Sequence, residues 1–111
     1  MALVEAYERG ARKRGMKLSL LEEWYVARCN GEWEHGSGIH IETLDNPGWR
    51  VKIALHDTPK ESQKLERQQI QRDRENDWIY YWTEDRTFHV ACGPTNLSEA
   101  LEIFLSWFNS K

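Results

Sequence analysis

Apolar and polar positions alternate most regularly on either side of Asp45-Asn46-Pro47-Gly48. Before it, Ile39, Ile41 and Thr43 share one parity, and His40, Glu42 and Leu44 the other. After it, Trp49, Val51, Ile53 and Leu55 oppose Arg50, Lys52, Ala54 and His56. Side chains alternate along a strand, so residues 38–44 and 49–56 are predicted to form a hairpin with one apolar face. Pro at the second turn position presets φ, and Gly at the third permits positive φ, so a tight reversal is expected between them. The same alternation predicts strands over 77–83 and 86–92. Trp78, Tyr80 and Trp82 oppose Ile79 and Tyr81 in the former, and Phe88, Val90 and Cys92 oppose Thr87, His89 and Ala91 in the latter.

Towards both ends the period lengthens to that of a helix. Leu20, Leu21, Trp24, Tyr25 and Ala27 predict a helix over 19–29, with Ser19 and Glu22 in capping-box spacing and Asn30-Gly31 as its stop. Leu97, Ala100, Leu101, Phe104, Leu105 and Phe108 form one stripe of a helix over 96–109, opened by Asn96 and Glu99 in the same capping spacing. Leu3, Val4, Tyr7 and Ala11 would fit a third helix over 3–15, weakened by Gly10. The charged stretch 64–73 is ambiguous. Leu65 and Ile70 differ in parity, so a regular strand cannot bury both; a bulged or exposed edge strand resolves this, and a helix is the alternative. The order of elements predicts an α+β fold: an antiparallel sheet of about five strands with N-terminal and C-terminal helices packed on one face.

A chain of 111 residues has room for one modest core, and its six Trp supply much burial per residue. Residues 1–17 carry five basic and two acidic side chains, hence +3; residues 18–111 carry ten and sixteen, hence −6. The expected organisation is therefore a basic extension over 1–17 and a single domain over 18–111. A net acidic body argues against binding nucleic acid, whose phosphates call for Lys and Arg. It suits a basic protein partner. There is no apolar run long enough to cross a membrane and no apolar signal core, and two widely spaced Cys make no disulfide framework. A cytoplasmic protein with reduced, semi-buried thiols is expected.

The residues Trp33-Glu34-His35, then Gly38-Ile39, then Thr43-Leu44-Asp45-Asn46-Pro47-Gly48-Trp49 carry a resemblance. Together with Trp24-Tyr25 and Cys29-Asn30-Gly31 upstream, and Asp77-Trp78 and the closing helix downstream, they resemble the immunity protein 53 family of bacterial polymorphic toxin systems. The similarity runs over roughly residues 18 to 109. It implies a protein that binds and silences a cognate toxin domain.

Candidate chemistry is sparse. None of the four His forms a metal-ligand spacing. His40 and His56 share a parity and could approach across the hairpin, where polar pairing is the ordinary outcome. Glu34 and His35, with Asp45, could serve a small hydrolase if Trp33 desolvated the carboxylate, and Cys29, His35 and Asp45 could imitate a triad. No nucleophile elbow, phosphate loop or dinucleotide fingerprint supports either. A module stacking nucleobases on exposed aromatics, with the basic arm on phosphates, is a third reading. The preferred reading is recognition without catalysis, metal or cofactor. Trp is favoured at binding hot spots, and Glu22 and Glu23 lie near it in sequence. The expected toxin-binding residues are Glu32, Trp33, Glu34, His35, Glu42, Asp45 and Asn46. A nuclease is the default toxin, because an acidic inhibitor can imitate the charge of a nucleic acid.

Overall fold

The computed structural model describes residues 18–73 and 75–110. The expected helix over 3–15 and the basic extension lie outside them. Residues 18–28 are helical (α1) and lead to a 3₁₀ turn at Trp33–His35. Five strands follow: β1 (Ile39–Leu44), β2 (Gly48–Ala54), β3 (Gln68–Asp73), β4 (Asp77–Glu84) and β5 (Thr87–Cys92). Helix α2 (Leu97–Phe108) closes the fold.

The strands form one sheet in the order β1-β2-β5-β4-β3, with every neighbouring pair antiparallel. The hairpin pairs as its alternation dictates: Ile39 faces Ile53, Ile41 faces Val51 and Thr43 faces Trp49. The ambiguous stretch becomes β3, an edge strand whose register shifts between Gln71 and Asp73. Its charges and its bulge both discourage a foreign strand from pairing there. Leu65 lies before the strand, where its carbonyl accepts from the Thr83 N–H, its own N–H donates to the Thr83 hydroxyl, and its side chain packs on the core.

One face of the sheet makes the core. Val51, Ile53, Ile79, Phe88, Val90 and Cys92 are buried there against Ala100, Leu101 and Phe104 of α2. The Phe88 and Phe104 rings meet at 5.1 Å. Trp24 joins α1 to this layer, with its ring edge-on to Phe104 at 5.0 Å, Phe108 at 5.2 Å and Trp33 at 5.6 Å. Both helices thus cover the same face, as one amphipathic layer against another requires. Burial pushes the Cys92 thiol up to about 11, which keeps it protonated.

Four local expectations are corrected. The hairpin loop is Asp45-Asn46-Pro47 with a cis Asn46–Pro47 bond, and Gly48 is already paired with Leu44. Gly48 is not needed for positive φ; a Cβ there would collide with the backbone carbonyl of Cys92. Ser19 is not the cap of α1, since Leu18 before it is already helical. Asn96 precedes α2 but makes no side-chain cap. Its side chain accepts from the Trp78 N–H at 3.1 Å and donates to Asp77 at 2.9 Å, pinning the start of α2 to β4. Glu99, the expected capping partner, pairs with Arg72 instead. Finally, Cys29 is exposed rather than semi-buried.

Gly48→Ala should destabilise the fold by about 1–3 kcal/mol through overpacking against the Cys92 carbonyl. Equilibrium urea unfolding measures it, and an unchanged midpoint would show that the strands separate freely there.

Candidate binding surface

The site begins at Asn30, where α1 ends. The Asn30 side-chain oxygen accepts hydrogen bonds from the backbone N–H groups of Glu32 at 2.9 Å and Trp33 at 3.0 Å. The Glu34 carboxylate reaches back to accept from Asn30 N–H at 2.9 Å and Gly31 N–H at 2.7 Å. This is the reciprocal logic of a capping box on a single 3₁₀ turn. Gly31 takes φ +91°, a conformation that glycine adopts without a Cβ penalty. The Glu34 pKa is held below its ordinary value by the backbone N–H groups of Glu34 itself, Asn30 and Gly31. A general acid needs the opposite shift.

This loop turns Trp33 inward. The indole is 1% exposed, donates to the Ala54 carbonyl at 3.3 Å and lies against Trp24, Tyr25 and His56. Trp33 is therefore a structural anchor and not a contact side chain, because its whole surface is used within the chain. Glu32 and His35 remain exposed beside it.

The other expected residues lie elsewhere. Glu42 stands on β1 opposite Arg50, on the face of the sheet away from the helices. Asp45 and Asn46 occupy the loop at the far end of β1, whose six residues span roughly 20 Å. The seven residues thus fall in three places, and Asp45 cannot join Cys29 and His35 in a triad. His40 faces Lys52 across the hairpin, while His56 stacks on Trp33, so these two His do not pair. Among the described residues no group of three or more His, Cys, Asp or Glu could hold a metal ion.

What the sequence reading passed over is the outward side of α1. Leu21 and Trp24 are buried, yet Leu18, Leu20, Tyr25 and Val26 are exposed, Val26 to 69%. These are four of the five exposed large apolar side chains among the described residues, so the exposure is concentrated on this one helix. Exposed Glu22 and Glu23 interrupt it, and the Tyr25 ring at 5.8 Å from Trp33 joins it to the loop bearing Glu32. The signal was present: Leu20, Leu21, Trp24, Tyr25, Val26 and Ala27 form a band too wide for one buried stripe.

The opposite side of the molecule is the outer sheet face. Trp82 stacks on His89 at 5.2 Å, and the Arg67 guanidinium lies 4.4 Å from the Tyr80 ring and 6.0 Å from that of Trp82. A concavity of about 640 Å³ sits beside them, lined in part by His40, Glu42, Lys52, Asp85 and His89. Burial lowers the His89 pKa, and nearby Arg50 and Lys52 act in the same direction. Its Nε2 lies 3.3 Å from the Glu84 carbonyl.

Trp33→Ala should cost stability, about 3–5 kcal/mol in denaturant unfolding. A loss below about 1 kcal/mol would place the indole outside the core. His89 binds its proton less readily in the folded chain than in the unfolded one. The unfolded chain therefore takes up more protons as pH falls from the ordinary value of 6.5, and stability drops with it. Stability measured across that window should fall in the parent and flatten in His89→Gln; parallel curves would remove His89 as the cause.

The family model of immunity protein 53 matches residues 18–109. No curated protein and no solved structure matches the chain. The match takes in both helices, all five strands and the loop of Asn30 and Glu34. The chain belongs to the immunity protein 53 family, and as an immunity protein it acts against a protein toxin.

Proposed function

We propose that the chain silences its toxin by tight stoichiometric binding, and that α1 with the adjoining loop is the surface that does so. The observation that carries this reading is that four of the five exposed large apolar side chains among the described residues, Leu18, Leu20, Tyr25 and Val26, belong to α1, together with exposed Glu22 and Glu23 and with Glu32 on the adjoining loop. Apolar anchors within a charged rim are the usual anatomy of a protein interface. Glu32 and His35 keep the role expected of them, with Tyr25 and Val26 as anchors in place of Trp33. Glu34 contributes by holding the loop in shape.

The acidic rim selects a basic counterpart. A nuclease has such a face where it grips its substrate, and the −6 charge of residues 18–111 would draw the two together. The reading places the protein in the cytoplasm beside the toxin's target, as part of a polymorphic toxin system. No helix among the described residues is long and apolar enough to cross a membrane. A hydrolase built on Glu34 and His35 is disfavoured, because Glu34 is held ionised with its oxygens already accepting backbone hydrogen bonds. Base stacking on the outer sheet face is disfavoured too. Trp82 lies between His89 on one neighbouring strand and Arg67 on the other side, so its ring faces are already taken.

The test is the binding kinetics of the toxin domain encoded by the neighbouring gene, at low and high salt. Glu22→Gln, Glu23→Gln and Glu32→Gln should slow association, with the loss shrinking as salt screens the field. Tyr25→Ala and Val26→Asp should speed dissociation at either salt, the former by about 2 kcal/mol. Inhibition should reach completion at one chain per toxin with no turnover of nucleotides, esters or peptides. If all five variants bind as the parent does, α1 is not the inhibitory surface; if the parent does not bind at all, the proposal of direct neutralisation fails.

A further inference from the structure

Strands β1 and β3 are the two edges of the sheet, and they are built differently. β3 carries charges and a register shift that discourage a foreign strand. β1 carries no Lys, Pro or bulge, and its six residues pair with β2 without a shift. Among the described residues no strand lies on its outer side. The Ala54 N–H donates to the Gly38 carbonyl at 2.9 Å, so the even-numbered residues of β1 form the hydrogen-bonded pairs of this ladder. The backbone N–H and C=O groups of Ile39, Ile41 and Thr43 therefore point away from β2, with no strand among the described residues to receive them. Ile41, 39% exposed, is the one exposed large apolar side chain among those residues that is not on α1. His40 and Glu42 are exposed too, and neither side chain has a hydrogen bond or ion pair among the described residues.

We propose that β1 pairs with β1 of a second copy, antiparallel, about a two-fold axis that stands perpendicular to the sheet at Ile41. The strand itself argues for this occupant, because its sequence complements its own reverse. With Ile41 opposite Ile41, Ile39 falls opposite Thr43 and His40 falls opposite Glu42, and the symmetry makes the last two contacts twice. The outward backbone groups of Ile39, Ile41 and Thr43 then bond to those of Thr43, Ile41 and Ile39 of the second copy. His40 and Glu42 take the non-hydrogen-bonded positions, where opposing side chains stand closest. Each Glu42 comes to lie between its own Arg50 and the second copy's His40. Moving the axis by one residue would set Glu42 opposite Glu42, or His40 opposite His40, so charge selects the register.

The two five-stranded sheets become one of ten strands, with the helices of both copies on the same side. An edge of six residues is about 20 Å long, which gives a contact at the low end of interface size. The dimer is therefore weak and depends on concentration. It uses none of the α1 and loop residues assigned to the toxin, so the two readings stand or fall separately.

Sedimentation velocity on the full chain, over about a hundredfold range of concentration, tests the proposal. A reversible monomer–dimer equilibrium is expected. His40→Glu and Glu42→Lys should each weaken it by about tenfold, because each replaces both favourable pairs with unfavourable ones. Mixed in equal amounts, these two variants should associate again, since the new carboxylate of one faces the new ammonium of the other. Ile41→Pro should abolish the dimer, having lost an outward N–H that no bond within the chain uses. Val26→Asp on α1 should leave it unchanged. Circular dichroism that matches the parent separates lost pairing from lost folding. A parent that stays monomeric throughout overturns the proposal. So does a dimer that survives both charge variants, a mixture of the two that stays monomeric, or a dimer abolished by Val26→Asp.

Discussion

The burial of Trp33 is the contact on which the arrangement of this molecule depends. Its indole meets Trp24 and Tyr25 of α1, His56 after β2, and the Ala54 carbonyl at the end of β2. One side chain thus ties the first helix to the hairpin. The Asn30–Glu34 loop exists, in physical terms, to deliver it. Reciprocal hydrogen bonds satisfy the free backbone N–H groups at this turn and fix the direction in which residue 33 leaves it. With Trp33 inside, Leu21 and Trp24 are the buried apolar side chains of α1, Tyr25 touches the Trp33 ring, and Leu18, Leu20 and Val26 stay exposed. The exposed apolar side chains of α1 are a consequence of how that helix is anchored.

The sheet divides the protein into two surfaces of different character. On one side the helical layer buries aromatic rings from β5, α1 and α2 in mutual contact, then ends outwardly in an apolar, acidic strip. On the other side the open face mixes half-buried aromatics with cations. Lys60 shows how far the first layer tolerates charge. It is 5% exposed, yet its ammonium donates to Ser110 at 3.3 Å and lies 5.3 Å from the Trp107 ring. A buried cation needs such partners to offset its lost hydration. Here they fasten the loop after β2 to the end of α2.

Much of this fold was legible along the chain. The hairpin alternates with period two on both sides of a turn sequence, and α2 repeats apolar residues with helical period, because each element has one buried side and one wet side. For β3, the charges and the mismatched parity of Leu65 and Ile70 allowed an edge strand but left a helix open, and pairing with β4 decided it. For the hairpin and α2 the information is local: the pattern of one segment states which of its sides is apolar.

Choices between two apolar possibilities were not local, and only the tertiary structure made them. In β4 both parities are aromatic or aliphatic, so the sequence could not say that Ile79 and Tyr81 face the helices while Tyr80 and Trp82 face away; pairing with β5 decided it. In α1, Leu20, Leu21, Trp24 and Tyr25 were equivalent until Trp33 and α2 took up one side of the helix. Asn96 had the spacing of a cap, but β4 offered a backbone N–H and a carboxylate at better geometry. Gly48 had the look of a turn residue, and its reason is a carbonyl on a strand 44 positions later. Periodicity along the chain determined which segments form helix or strand. Contacts between distant segments determined which apolar side chains remain outside, and it is those that are available to a partner.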